Sequence, residues 1–563
     1  MRFLLILLFL STSIFSQTNY PKDFFRPPLD IPMQLAGNFG ELRPNHFHAG
    51  FDFKTQQKEG LIVHAAGDGY ISRIKISTYG YGKAVYITHP NGYTTVYGHL
   101  QKGCGSVEDF IKKEQYKQQS YEIEFFPSPN ELPVKKGDTI ALSGNTGGSE
   151  GPHLHFEFRD TQTEKIINPM FFGFDSFMTD TKRPFISSIL VYPMDSTSVV
   201  KQSKRPVVVN LTLQPDGTYI GEKINAMGTI GFGIICGDQD NVSFNNNGIF
   251  KVQSYVNGSP SFGYEFDSLA FDEGRYINAL IDFPRYKKSK LRVQRLFMKN
   301  PYGLSIVKTS AANGILKIAP NFSQLYRIEI ADYYDNKTSV VIPIDYSNEP
   351  ATISEEPLKT DYYLKANFDS NYEKENMSVF FPAHTFYEDF YLKFEVKNKI
   401  MTVQDDTVAV HSNFLVTIID STVTQKDKTF IASLDGKRIS YNSTKVKNNT
   451  FTTYTKNLGD FTLAKDTIAP KITMAKPIEG KWLNKDKALV LRISDDLSGI
   501  KTYNGYINNQ WVLFEYDNKT NKITHYFEDA LLLEGKNELK VMVSDNLGNS
   551  AIFETSFFRS QKK

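Results

Sequence analysis

At 563 residues the chain is longer than one hydrophobic core can organise, and a length prior of roughly 100 to 200 residues per domain sets an expectation of three or four. Apolar residues at 40% and charged residues at 22% are those of a globular chain, while 43 Phe and 31 Tyr favour pleated, half-buried surface and so strands. Lys and Arg total 64 against 62 Asp and Glu, and the resulting net charge of +2 excludes a field that would gather nucleic acid or an acidic membrane.

Along the chain, Arg2 precedes the apolar run Phe3 to Leu10, and the small polar stretch Ser11 to Gln17 follows. This pattern predicts a secretory signal peptide over residues 1–16, hence export to the periplasm or beyond. No later stretch reaches 18 uninterrupted apolar residues, so no transmembrane anchor is expected. Cys104 and Cys236 are read as two unpaired small core residues rather than a disulfide.

Of the ten histidines, seven (46, 48, 64, 89, 99, 153 and 155) precede residue 156. Such an excess is what a metal or proton-transfer site produces, because imidazole both ligates zinc and titrates near neutrality. His48-Ala49-Gly50-Phe51-Asp52 offers one nitrogen and one carboxylate ligand, in a stretch without helical periodicity. His64 and His89 fall in a sheet and its turn and are read as structural. Downstream, His153-Leu154-His155-Phe156-Glu157-Phe158 alternates polar and apolar, so His153 and His155 share a strand face about 7 Å apart. One nitrogen from that pair brings the ligand count to three and leaves the fourth position for water, the arrangement of a catalytic rather than structural zinc. Spacing alone decides neither between His153 and His155 nor against His46.

The ordered series Gly37-Asn38-Phe39-Gly40, His48 to Asp52, Val63-His64-Ala65-Ala66-Gly67-Asp68-Gly69, Tyr97-Gly98-His99-Leu100, Gly144-Asn145-Thr146-Gly147 and Gly151-Pro152-His153-Leu154-His155 resembles the lysostaphin/LytM-type zinc endopeptidases, the M23 peptidase family. The resemblance covers about residues 36–170. It implies a mainly antiparallel β core, Zn2+ on His48, Asp52 and His155, and catalytic roles for His99 and His153. It also implies peptide crosslinks of peptidoglycan as substrate. A non-catalytic peptidoglycan-binding or amidase-activating protein is the alternative, and such relatives lose zinc ligands, whereas all three stand here. One departure is the long connection Cys104 to Pro133, with a helical stretch Glu108 to Glu114; this insert is expected to wall the groove.

From about Pro184 onward, short alternating runs separated by Asn, Asp and Gly predict β-sandwich modules. An internal echo supports two related copies. Ile234-Ile235-Cys236-Gly237-Asp238 corresponds to Ile493-Ser494-Asp495, and Ile328, Ile330, Asp332 and Asn336 correspond to Val541, Val543, Asp545 and Asn549. These copies resemble immunoglobulin-like modules. The expected division is a peptidase domain over 17–182, a sandwich over 183–349, a further β domain over 350–465 and an Ig-like module over 466–563. Acidic residues in their turns are read mainly as backbone hydrogen-bond acceptors.

Overall fold

The computed structural model of the chain describes residues 19–242, 244–354, 359–529 and 532–560, so the expected signal peptide lies outside the described residues. Strands make up 46% of the structure and helices 8%, which bears out the mainly β expectation. Among the described residues no helix is long and apolar enough to cross a membrane. Cys104 and Cys236 are both free.

The N-terminal half is organised by one sheet in the order Leu35–Gly37, Phe51–Lys54, His153–Asp160, Tyr93–Gly98, Lys83–Thr88, Gly69–Ile76 and Ile123–Phe125. Alternation along His153–Asp160 explains the central strand. Phe156 and Phe158 turn to one side, where they stack on Phe174 and Phe172 at 5.5 and 4.0 Å between ring centroids. His153, His155, Glu157 and Arg159 take the other side. Register then does the positioning: His155 lies opposite Asp52 on one neighbouring strand and opposite Gly98 on the other, with His153 opposite Lys54. A second, three-stranded sheet joins Ile62–His64, Thr139–Leu142 and Lys102–Gly103.

The short strand Ile166–Ile167 pairs with both His153–Asp160 and Ser268–Leu269, so the first sheet is stitched to the segment after residue 183. One apolar core accordingly runs from Phe25 through Phe172 and Phe232 to Ile344. In that following segment the long strand Ile224–Gly237 pairs antiparallel with Phe185–Pro193 and, at its other end, parallel with Lys337–Tyr346. Gly228 lies between these pairings at φ 80°, where a Cβ would come within 2.5 Å of the Ser198 hydroxyl. This residue lets one strand serve two sheets. Helical signals were expected to fade here, yet Phe283–Ser289 is helical. Its start is capped by the Asp282 side chain, which accepts from Arg285 N at 3.2 Å, and Pro284 occupies the first turn, where its missing N–H costs nothing.

Two five-stranded sheets follow, one centred on Phe414–Ile419 and one on Gly459–Lys465, around a separate core that includes Phe381, Phe414 and Phe461. The last segment pairs a four-stranded sheet containing Ala488–Ser494 with a five-stranded sheet containing Gly535–Asp545. It folds back onto the first sheet. Leu513 is buried in the N-terminal core, and the insert helix Ser106–Gln118 meets this segment through Tyr116 against Trp511 and Lys112 against Asp529. The physical role visible for the insert is thus as a platform for the C-terminal segment.

Candidate functional site

The five histidine and aspartate residues singled out by sequence converge at the meeting point of three strands. His48 precedes Phe51–Lys54, Asp52 lies on it, His153 and His155 lie on the central strand, and His99 follows Tyr93–Gly98. His48 Nδ1 lies 2.7 Å from the Asn38 carbonyl, and only a donor suits that oxygen, which leaves Nε2 as a lone pair. His155 Nε2 lies 2.8 Å from the Glu157 carboxylate, which by the same reasoning leaves Nδ1 as a lone pair. Those two lone pairs meet Asp52 Oδ1. The separations are 3.1 Å for His48 Nε2 to Asp52 Oδ1, 3.1 Å for His48 Nε2 to His155 Nδ1, and 2.9 Å for His155 Nδ1 to Asp52 Oδ1.

Three acceptor atoms so close together repel one another unless a positive charge lies between them. A proton on His155 is one solution. Burial pulls its imidazole down, but the hydrogen bonds it donates to Asp52 and Glu157 push it up to about 9. Burial likewise opposes the Asp52 carboxylate, yet His48, His153 and His155 hold it well below the usual range. The other solution is a metal ion: two imidazole nitrogens and one carboxylate oxygen form a donor set that can hold one.

His99 and His153 face this cluster in matching poses. His99 Nδ1 lies 2.9 Å from the Thr146 carbonyl and His153 Nδ1 lies 2.8 Å from that of Gly151, so both rings turn Nε2 inward. Their centroids are 4.7 Å apart. Among the described residues His153 Nε2 is buried without a hydrogen-bond partner, and it stands 3.4 Å from Asp52 Oδ1. Burial, helped by His155 and His153, lowers His99 to about 3, which keeps it neutral at physiological pH. Its backbone is left-handed at φ 58°, a conformation costly for a residue with a Cβ.

Several supporting residues were not singled out as site residues in the sequence. Glu157 is fully buried and links His155 to Arg159 at 2.7 Å, while Tyr81 donates to the same carboxylate. Burial would raise Glu157, but Arg159 and His155 bring it down to about 2. Its position two residues beyond His155, on the same strand face, was the available signal. Arg43 reaches the second oxygen of Asp52 at 2.5 Å, through space that a Cβ on Gly37 would obstruct at 2.4 Å. His46 is exposed and bonds the Pro44 carbonyl, outside the cluster. His64 contacts the Gly137 carbonyl and Asp30.

His89 is structural as read from sequence: Nδ1 lies 2.8 Å from the Asp68 carbonyl and Nε2 2.8 Å from Thr95 Oγ1. Burial lowers it to about 4. Because the folded value lies below the unfolded one near 6.5, its contribution is complete above about 6.5 and is lost as pH falls toward 4. Between pH 7.5 and 4.5 wild type should lose roughly 2 to 3 kcal/mol that His89→Gln does not lose, measured as the difference in denaturant unfolding of the two proteins. An unchanged difference would contradict the neutral, buried assignment.

A cluster of this kind on an antiparallel sheet is a candidate metal-binding and proton-transfer site, and comparison with known proteins gives its context. Residues 46–116 and 130–169 match the model for peptidase family M23, the break falling within the insert, and residues 361–466 match that for a Zu5-like domain. The chain carries a peptidase family M23 domain. Over 174 residues it is 34% identical to an uncharacterized metalloprotease of Haemophilus influenzae, covering 29% of this chain and 30% of that one. It is 32% identical over 143 residues to the peptidoglycan DD-endopeptidase ShyC of Vibrio cholerae, covering 24% and 27%. With the DD-carboxypeptidase/endopeptidase Mpg of Neisseria meningitidis it shares 36% over 112 residues, 20% of each chain. The similarity thus spans less than a third of these relatives. Among solved structures, a zinc containing peptidase from Vibrio cholerae aligns at 28% identity and TM-score 0.20, covering 26% of this chain and 39% of that one.

Proposed function

We propose that this protein is an exported zinc metalloendopeptidase that hydrolyses peptide crosslinks of peptidoglycan. The observation that carries the reading is the convergence of His48 Nε2, Asp52 Oδ1 and His155 Nδ1, each histidine fixed by a partner on its other nitrogen. These three side chains would hold zinc, and the metal, when bound, polarises a carbonyl and lowers the pKa of a bound water toward about 7.

The remaining steps fall to the chain's own groups. His153 and His99, each with Nδ1 tied to a backbone carbonyl, both present Nε2 to the space beside Asp52. Either can take a proton from an attacking water; once protonated, the same Nε2–H can donate to the oxyanion or to the departing amine nitrogen. The backbone anchors fix ring orientation before substrate arrives, so little reorganisation is left to the reaction. Glu157 holds His155 in the tautomer that ligation needs, as carboxylates behind ligating histidines do. The wall as substrate rests on the named activities of the Vibrio and Neisseria relatives, and export on the apolar run Phe3 to Leu10. Survival of all five site residues in one cluster disfavours a purely binding role.

Incubating the zinc-loaded protein with purified crosslinked peptidoglycan, and identifying products by mass spectrometry, is expected to show crosslink cleavage. Cleavage should disappear with chelator and in His155→Ala. Unchanged muropeptides from a folded, metal-loaded protein would refute the reading.

A further inference from the structure

Outside the histidine cluster, the described residues bring Asp180, Asp238 and Asp332 together, with one carboxylate oxygen of each within 4.8 Å of the others. They line a cavity of about 50 Å³ between the first sheet and the following segment, room for an ion and its water. Acidic residues cluster often without a ligand; what separates this group is Asp238. Its side chain is only 6% exposed, and its Oδ1 is buried with no hydrogen-bond partner among the described residues. A buried, unpaired carboxylate oxygen beside two further carboxylates is strongly unfavourable in its charged form; burial, with Asp180 and Asp332, raises Asp238 to about 7, so either a proton or a cation must join the three. Lys182, the cationic side chain beside Asp180, donates to the Asp240 carbonyl at 2.7 Å.

The internal repeat sharpens the contrast. Asp180-Thr181-Lys182-Arg183-Pro184 and Asp466-Thr467-Ile468-Ala469-Pro470 share their first, second and fifth residues, and with the pairs Asp238/Asp495 and Asp332/Asp545 they place an equivalent trio in the C-terminal segment. Asn336 Nδ2 donates to Asp332 at 2.7 Å and to the Asp180 carbonyl at 3.2 Å, and Asn549 Nδ2 does the same to Asp545 and Asp466 at the same two distances. The trios differ in the backbone donors that reach them: Ser498 N donates to Asp466 Oδ2 at 3.1 Å, a bond without a counterpart at Asp180 among the described residues. Asp495 Oδ2 accepts from Leu497 N and Gly499 N at 3.1 and 2.7 Å, within a short turn ending at Gly499. From Asp238 more residues intervene before the corresponding Gly248, and among the described residues no such donor reaches Asp238 Oδ1.

We infer that Asp180, Asp238 and Asp332 form a binding site for a hard divalent cation, with calcium the best match to an all-oxygen carboxylate set. Asp238 bridges to Asn247, so the site ties Asp238, Asn247 and Gly248 to the first sheet. Gly248 exchanges two hydrogen bonds with the Asn38 side chain, at 2.7 and 2.9 Å, and the Asn38 carbonyl is the group that orients His48. That last link to the catalytic half rests on the metallopeptidase reading; the cation site itself does not.

The test uses the zinc-loaded full chain and terbium as a luminescent stand-in for calcium. Tyr333 and Tyr334 line the same cavity, so excitation of tyrosine should sensitise bound terbium, and added calcium should quench the signal by displacement. Asp238→Asn is expected to weaken terbium and calcium binding at least about tenfold while zinc content stays at one equivalent. Should Asp238→Asn fail to fold, Asp180→Asn, at the more exposed member, gives the same readout. Absence of sensitised emission from wild type, or equal calcium affinity in wild type and a folded variant, would overturn the inference. Neither readout depends on whether the protein cleaves peptide.

Discussion

His48→Ala should lose both metal and turnover, whereas His99→Ala should keep the metal and lose turnover by about 10²- to 10⁴-fold, the range for removing a positioned proton-transfer group. The division follows from geometry. His48 Nε2 stands 3.1 Å from both Asp52 Oδ1 and His155 Nδ1, so its loss takes one of the three converging donor atoms. His99 has no atom in that trio; its Nδ1 is committed to the Thr146 carbonyl and its ring packs on His153. The variant is also expected to fold, because it removes one side-chain hydrogen bond, to the Thr146 carbonyl, worth about 1 kcal/mol. Metal content by elemental analysis and kcat on a crosslinked muropeptide decide the matter. Equal metal loss in the two variants would place His99 among the ligands. His153→Ala provides the companion measurement: retained metal and a fall in kcat comparable to that of His99→Ala fit two inward Nε2 atoms of matching pose.

Much of this site was legible because strand periodicity is short-ranged. The alternation of His153 to Phe158 fixed which residues share a face, and the ordered family motifs supplied His48, Asp52 and His99. What periodicity could not supply was register. Which residue of Phe51–Lys54 faces His155 depends on how two strands about 100 residues apart are aligned, and a slip of one would have turned Asp52 to the opposite face. The supporting residues illustrate the same limit. Glu157 could have been found from its i+2 position, but Asn38 acts through its backbone carbonyl, which leaves no mark in side-chain chemistry. Arg43 works only because Gly37 leaves it a path. In the acidic trios, the pairs Asp238/Asp495 and Asp332/Asp545 emerged from spacing. Asp180 stands far from both in sequence and joins them only when the chain closes, and the missing donor at Asp238 Oδ1 is a property of three-dimensional loop path alone.

The contact least accessible to sequence reasoning is also the one whose disruption should cost the most stability. Lys83, in the first sheet, and Glu515, in the C-terminal segment, form an ion pair at 2.7 Å across 432 positions of sequence. Lys83 is 8% exposed, and its ammonium also lies 6.0 Å from the centre of the Tyr121 ring. Burial alone would lower the Lys83 pKa, but Glu515 raises it above its ordinary value, and Lys83 with Lys112 brings Glu515 down against its own burial. Removing one partner leaves the other buried and uncompensated, so Glu515→Ala should cost about 3 to 5 kcal/mol. Replacing both, as Lys83→Met with Glu515→Leu, should restore most of that loss, since an apolar pair of similar volume avoids the desolvation cost. Denaturant unfolding of the two variants against wild type measures both, and a loss below about 1 kcal/mol for Glu515→Ala would mean the pair is effectively solvated. The consequence reaches the site. Lys519 of the same C-terminal segment donates to the backbone and side-chain oxygens of Asn145, and the next residue, Thr146, carries the carbonyl that holds His99. Undocking by Glu515→Ala should therefore lower kcat without releasing metal, the signature already expected of damage on the His99 side of the cluster, and a variant that instead loses metal would show that the C-terminal segment supports the ligands.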